Sequence, residues 1–373
     1  MARLGLGPRW NCDFANEWCE KKAAAYAARF GSGYPRVCKE LRIGDIARLT
    51  AVDLPGKPDL AWASFPCQDL SLAGAGAGLG GQRSGTFRHF WKLVEDLADE
   101  GRAPGVVVLE NVVGTITSHG GKDFAEILNR ISGSGYSFGP MVVDALRFVP
   151  QSRPRLFVVA VRDGFTVPSA LDSCVPTTFC HPISLLNAHA GLADSLRSHW
   201  IWWNLPTPMR RIKGLKRLIE DEPTGVTWHS AEQTRKLIDM MSPLNREKVR
   251  KAQVMGSRVV GTVYRRTRPD EDGEKIQRAE VRFDDISGCL RTPVGGSSRQ
   301  IILVVEGNSI RSRLLSPREA ARLMGVPEDY PIPPNYNEAY HLFGDGIAVP
   351  VVRHLEEHLL WPLAANRPAT KAA

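Results

Sequence analysis

Residues 60–68 read LAWASFPCQ, and the fold turns on how that stretch is read. A short apolar run ends in Phe65-Pro66-Cys67-Gln68 and is followed by a glycine-rich segment, AGAGAGLGG, at 73–81. An apolar run of strand length, stopped by proline and a loop, reads as a buried β-strand over 60–65. Working outward, strand-sized runs recur at 12–16, 106–110, 141–144 and 156–161. Helix-sized amphipathic stretches lie between them at 20–29, 87–99 and 124–131. Strand–helix alternation predicts an α/β fold, a doubly wound and mostly parallel sheet with helices on both faces. Ligand sites in such sheets gather at the carboxyl ends of strands. That rule singles out Glu17, Pro66-Cys67-Gln68 and Asn111.

The alternation covers residues 1–163, read as the first domain. From 164 to 300 Pro, Trp and Arg become frequent and periodicity weakens, which predicts a second, irregular domain. Within it, TRPDEDGEK at 267–275 reads as an exposed turn between two strands. Residues 201–300 hold 20 Lys and Arg against 13 Asp and Glu, so this third of the chain carries nearly all of the net charge of +8. A basic region beside a balanced one points to a polyanion, nucleic acid first, with a solvated basic surface as the alternative. Residues 301–363 are expected to return to the first domain. Ser316-Pro317-Arg318-Glu319 has the form of a helix start, with an N-cap, proline at the first position and glutamate at the third. Gly325 can close that helix. Residues 364–373 are expected to form a disordered tail.

No run of 18 apolar residues is present, which argues against a membrane span. The first residues, MARLGLGPRW, do not resemble a signal peptide. The seven scattered cysteines then read as free thiols in a reducing cytoplasm.

Three sites carry candidate chemistry. Cys67, at a strand's carboxyl end before a loop that can move, is placed as a nucleophile, although a buried small hydrophobe is the commoner fate of a cysteine. Glu110-Asn111-Val112 ends the run at 106–109, where a carboxylate is either a cap or a functional acid. Gln151-Ser152-Arg153-Pro154-Arg155 leads into the strand at 156–161. Its arginines, two residues apart, share one face and could hold a carbonyl oxygen or an anion.

Pro-Cys-Gln, then Glu-Asn-Val about 43 residues later, then Gln-x-Arg-x-Arg about 40 further on, resembles the ordered motif set of the cytosine-5 DNA methyltransferases. Residues 313–325 (RLLSPREAARLMG) and 344–349 (GDGIAV) resemble the family's last two blocks. Asn16-Glu17-Trp18 and Gly44-Asp45-Ile46 resemble its cofactor-binding segments. The likeness spans almost the whole chain. It implies the adenosylmethionine-dependent methyltransferase fold, with residues 164–300 as the target-recognition domain. It also implies methyl transfer from S-adenosyl-L-methionine to carbon 5 of cytosine in double-stranded DNA, by an enzyme expected to act as a monomer in the cytoplasm. Cys67 would attack the base, Glu110 would serve ring N3, and Arg155, helped by Arg153, would hold the O2 oxygen. Asn111 and Pro66 would shape the pocket. Glu17, Trp18, Asp45 and Ile46 would hold the adenosine and Asp345 with Gly346 the methionine end, with Phe65 a further cofactor-binding residue, although the family usually has Asn where Asp345 stands. The base must be swung out of the duplex, with residues 73–84 as a closing lid. DNA contacts are expected from Gln68, Arg265, Arg266, Arg268, Gly295, Gly296 and Arg299. No metal is expected. A partner restriction endonuclease, as in restriction–modification systems, is not written in the sequence.

The family's first block, a strand ending in Phe-x-Gly-x-Gly, is expected just before residues 4–10, and this sequence starts where it would be ending. Three readings stay open: a start further upstream, a truncated and inactive relative that only binds DNA, or a strand supplied by another polypeptide. In a doubly wound sheet that strand is central, so two neighbours would be left with unpaired backbone. Methylation of RNA cytosine on the same scaffold is a further alternative, against which the long basic insert argues.

Overall fold

The computed structural model describes residues 1–32, 38–65, 85–209, 214–269, 273–292 and 299–366. Pro66, Cys67, Gln68, the 73–84 segment, Gly295 and Gly296 lie outside the described residues.

After α1 (Ala2–Leu6), the first half alternates as expected: β1 (Ala15–Glu17), α2 (Glu20–Phe30), β2 (Leu41–Ile43), β3 (Leu60–Ser64), α3 (Thr86–Asp99), β4 (Val106–Val112), α4 (Lys122–Gly133), β5 (Tyr136–Asp144) and β6 (Pro154–Arg162). Four strands pair in the order β3-β4-β6-β5. β3 and β4 are parallel, and β6 runs antiparallel to both β4 and β5, so three of the four point one way. β1 and β2 form a separate parallel pair. Among the described residues no ladder joins β1 to β3.

The centre of the sheet explains itself from sequence. β4 has no polar alternation in VVVL, so both of its faces need cover. Val106 and Val108 face one apolar cluster, and Val107 and Leu109 face another. The second cluster is closed by Phe87, Trp91 and Val94 of α3 and by Phe124, Ile127 and Leu128 of α4. β5 is longer than the run at 141–144 because Pro140 and Gly139 hide it from a periodicity reading. Proline is tolerated there because β5 is an edge strand. Gly139 is required by crowding: a Cβ would lie 2.2 Å from Trp203 Nε1 and 2.5 Å from the Ile201 carbonyl oxygen.

The second domain corrects two expectations. Helices α5 (Ile183–Ala190), α6 (Asp194–Arg197), α7 (Ala231–Asp239) and α8 (Pro243–Val254) precede a regular sheet, not an irregular fold. That sheet has the order β10-β9-β7-β8, with β7 (Val259–Pro269), β8 (Lys275–Arg282), β9 (Ile301–Glu306) and β10 (Ser309–Leu314) all antiparallel. The chain therefore does not leave this unit at 301; β9 and β10 belong to it. Alternation at period two explains why. Ile301, Leu303 and Val305 face α7 and α8, whereas Ile302 and Val304 face the main core shared with Phe157 and Val159. Pro269 pairs with Lys275, and residues 270–272 of the expected turn lie outside the described residues.

The chain returns through α9 (Pro317–Leu323), α10 (Tyr336–Gly344), α11 (Val349–Leu355) and α12 (Trp361–Ala365). α12 thus runs two residues into the segment expected to be a disordered tail, and 367–373 lie outside the described residues. Ser316 caps α9 in a reciprocal box with Glu319. Gly325 follows at φ +67°, where a Cβ would stand 2.4 Å from Pro350. Among the described residues no helix is long and apolar enough to cross a membrane, and the six cysteines are free thiols.

Glu319 also receives both Nη groups of Arg313, at 2.8 and 2.7 Å, and both side chains are fully buried. Removing one partner strands a buried charge, so Glu319→Ala should destabilise the protein by about 3–5 kcal/mol. Urea unfolding checks this against Glu232→Ala, which removes an exposed pair with Lys236 and should leave the midpoint almost unmoved.

Candidate active site

The antiparallel pairing of β6 on β4 builds the site. Val112 lies opposite Arg155 and Glu110 opposite Phe157, which brings the start of β6 to the carboxyl end of β4. There Arg155 Nε stands 3.2 Å from Glu110 Oε1, with both side chains largely buried. Poor solvation strengthens their attraction and fixes the carboxylate's direction.

Asn111 joins this pair to β3. Its Oδ1 accepts from Val112 N at 2.8 Å, and its Nδ2 donates to the Phe65 carbonyl at 3.5 Å. Ser64 pairs with Glu110, so the chain leaves β3 beside that acid. Phe65 itself packs on Phe87 of α3, with ring centroids 5.6 Å apart, and is buried. The ring anchors the strand end from which the sequence continues to Pro66 and Cys67.

Arg153, two residues before Arg155, is 1% exposed. Its Nη1 donates to the Leu290 carbonyl (2.8 Å) and to Cys289 Sγ (3.2 Å). Its Nη2 donates to the carbonyls of Gly344 (2.8 Å) and Gly346 (2.6 Å). All four Nη hydrogens are thus directed at protein atoms, and burial together with the Arg155 charge lowers its pKa. Gln151 is equally buried, donating to the Leu323 carbonyl at 2.7 Å and accepting from Leu290 N at 3.0 Å. Cys289 opens the run 289–300 (CLRTPVGGSSRQ), and the sequence did not place it against Arg153. No local pattern marks it, because its partner lies 136 residues away.

At the carboxyl ends of β1 and β2, Glu17 pairs with Ile43, and Gly44 N donates to the Glu17 carbonyl at 3.1 Å. Trp18 and Asp45-Ile46 therefore leave the pair side by side. Trp18 is 70% exposed, which core packing does not explain. Glu17 Oε1 accepts from Cys19 N and Asp45 Oδ1 from Ala47 N, so each carboxylate uses one oxygen on its own turn. An open indole flanked by two carboxylates fits an adenosine group, offering a flat apolar face and acceptors for hydroxyl and amino hydrogens. Asp345 is engaged elsewhere, by Lys22 Nζ at 2.7 Å and by the Thr292 hydroxyl.

The basic candidates separate. Arg265 and Arg266 are exposed on β7, and Arg268 belongs to the same strand. Arg266 Nε lies 3.4 Å from Glu280. Beside it is an open cavity of about 310 Å³, whose lining includes Lys248, Tyr264, Arg266, Glu280 and Arg282. Arg299 instead folds onto α10, bonded to Asn337 and 5.6 Å from the Tyr336 ring centre. Among the described residues no cluster of His, Cys, Asp and Glu is arranged to hold a metal ion.

Comparison with known proteins matches residues 2–361 to the family model described as C-5 cytosine-specific DNA methylase. The chain is 26% identical over 370 residues to the type II methyltransferase M.NgoBI of Neisseria gonorrhoeae, covering 98% of this chain and 92% of that protein. It is 24% identical over 348 residues to M.HhaI of Haemophilus parahaemolyticus, covering 92% and 86%. The S. pombe Dnmt2 methyltransferase shares the fold, with a TM-score of 0.53 and 18% identity over 95% of this chain and 91% of that one. The Entamoeba histolytica methyltransferase EhMeth does so with a TM-score of 0.55 and 13% identity over 94% and 90%. With nearly its whole length matched, the chain belongs to the C-5 cytosine-specific DNA methylase family.

Proposed function

We propose that this protein transfers a methyl group from S-adenosyl-L-methionine to carbon 5 of cytosine in double-stranded DNA, with Cys67 as the nucleophile and the target base swung out of the helix. The observation that carries this reading is the Glu110–Arg155 pair, at 3.2 Å, beside the anchored strand end that leads into Cys67.

Carbon 5 of cytosine is a poor nucleophile. When the Cys67 thiolate adds to carbon 6, a sulfur–carbon bond forms and the ring double bond's electrons move toward carbon 5, N3 and O2. Glu110 protonates or hydrogen-bonds N3 as that charge builds. Arg155 donates to O2 and offsets the charge there. Asn111 holds the Phe65 carbonyl and with it the approach of the nucleophile. Bound S-adenosyl-L-methionine supplies an electrophilic methyl group; Glu17, Trp18, Asp45 and Ile46 are the residues that would hold its adenosine. Loss of the carbon 5 proton then restores the ring double bond and releases the sulfur. Arg153 acts behind this set, as a tie rather than a contact to the base. Arg265 and Arg266, with the cavity beside them, offer positive charge to the DNA backbone. A reacting carbon stacked in a duplex is out of reach, hence the extruded base.

Cys67→Ser should abolish methyl transfer while DNA binding persists, measured with labelled methyl donor and by gel shift; full activity in that variant would rule Cys67 out. Glu110→Gln should slow the single-turnover rate by about 10²–10⁴ with little effect on cofactor affinity. An unchanged rate would sink the N3 role. Trp18→Ala should weaken S-adenosyl-L-methionine binding by about 1–3 kcal/mol, the range for a base stacked on an aromatic ring. Calorimetric titration reads this, and an unaltered affinity would move the adenosine elsewhere.

A further inference from the structure

Two lysines stand in the first turn of α2, where the aligned peptide dipoles repel a cation. Each is met by a carboxylate from the far end of the chain. Lys21 Nζ lies 2.8 Å from Glu338 on α10, and Lys22 Nζ 2.7 Å from Asp345 in the turn that follows α10. Lys21 is exposed, whereas the Lys22 side chain is 30% exposed.

The turn that bears Asp345 is pinned from behind. Arg153 Nη2 donates to the carbonyls on either side of it, Gly344 (2.8 Å) and Gly346 (2.6 Å). The Thr292 hydroxyl donates to Asp345 Oδ1. Asp345 thus has its backbone fastened by the arginine two residues before Arg155, and its side chain held by a lysine four residues after Trp18. The Lys22–Asp345 pair joins the two places a methyl donor must reach at once, the open indole and the Glu110–Arg155 pair.

Both partners keep bonding capacity. Among the described residues Asp345 is the hydrogen-bond partner of Lys22, which leaves two of the three ammonium hydrogens for a ligand. Asp345 takes Lys22 on one oxygen and Thr292 on the other, and a carboxylate has about four acceptor positions. Burial acts to lower the pKa of Lys22, but Asp345 and Glu17 carry it above the ordinary value of 10.5, so the ammonium is charged at neutral pH.

S-adenosyl-L-methionine has three arms at its sulfur: the adenosine, the methyl group, and a chain that ends in an ammonium and a carboxylate. With the adenosine on Trp18 and the methyl group toward the base, the third arm ends beside both. A carboxylate taken out of water needs donors and an ammonium needs acceptors, and one ion pair offers the two together. An unpaired Asp345 would repel the donor's carboxylate; Lys22 cancels that repulsion and supplies a charge-assisted hydrogen bond.

We propose that Lys22 binds the carboxylate of the methyl donor's amino-acid end while it stays paired to Asp345, whose own carboxylate takes the ammonium beside it. This rests on the donor proposed above.

Calorimetric titration of the full chain with two ligands tests it. S-adenosyl-L-homocysteine carries the amino-acid end, and 5′-methylthioadenosine has the same adenosine and thioether sulfur without it. Lys22→Gln should weaken S-adenosyl-L-homocysteine binding by roughly 10-fold, the loss of one hydrogen bond between charged groups, and leave 5′-methylthioadenosine binding unchanged. Lys22→Arg, which keeps the charge, should restore most of the affinity. Equal losses for both ligands would make Lys22 a tie between α2 and α10 and nothing more, which overturns the proposal. An unchanged affinity of Lys22→Gln for S-adenosyl-L-homocysteine overturns it too. A wild-type chain that binds neither ligand overturns the donor reading itself, and this inference with it.

Discussion

The arrangement depends on one buried cation. Arg153 gathers carbonyl oxygens from Leu290, Gly344 and Gly346, which belong to segments 137 to 193 residues away in sequence. Burying a guanidinium costs several kcal/mol even after relaxation. Each hydrogen bond from a charged donor returns about 1.5–3 kcal/mol, so the site is stable only with most of its partners in place. The catalytic strand, the edge of the second domain and the turn after α10 are therefore assembled together or not at all. Arg155, two residues along, follows from this tie and is left partly exposed beside Glu110.

The two arginines stand two residues apart, yet the shared spacing did not give them shared partners. Spacing fixes direction; what lies in that direction comes from elsewhere in the molecule. At Arg153 the space is filled by Cys289, Leu290 and the Gly344–Gly346 carbonyls. At Arg155 it is occupied by a carboxylate at the end of the neighbouring strand. Glu110 and Asn111 could be placed from sequence because their strand end is a local property, an apolar run that stops. Phe65 could not: whether an aromatic at a strand end faces a ligand or a helix depends on α3, which brings Phe87 against it.

The second domain was the least legible part, for a physical reason. Its strands do not form contiguous hairpins throughout. β7 pairs with β8, which follows closely in sequence, but its other neighbour, β9, arrives some 30 residues later. β7 also carries three arginines and a tyrosine toward its end, which masks the apolar alternation of its first half. Charge density was readable there, whereas pairing was not. The helix start at Ser316 was readable because capping is local, although nothing in the sequence showed that its Glu319 would also receive the buried Arg313.

The alternation of β9 has a consequence for how recognition and chemistry are joined. One of its faces, Ile302 and Val304, lies in the same apolar cluster as Phe157 and Val159 of β6. Swinging the second sheet away as a rigid unit would expose these residues, at about 25 cal/mol per Å² of apolar surface. It would also leave the carbonyl of Leu290 without Arg153. Movement between the two domains is therefore confined to segments outside this shared core. The exposed arginines of β7 and the Glu110–Arg155 pair stand on one packed body, so their separation is set by the shared core and not by a hinge between the two sheets.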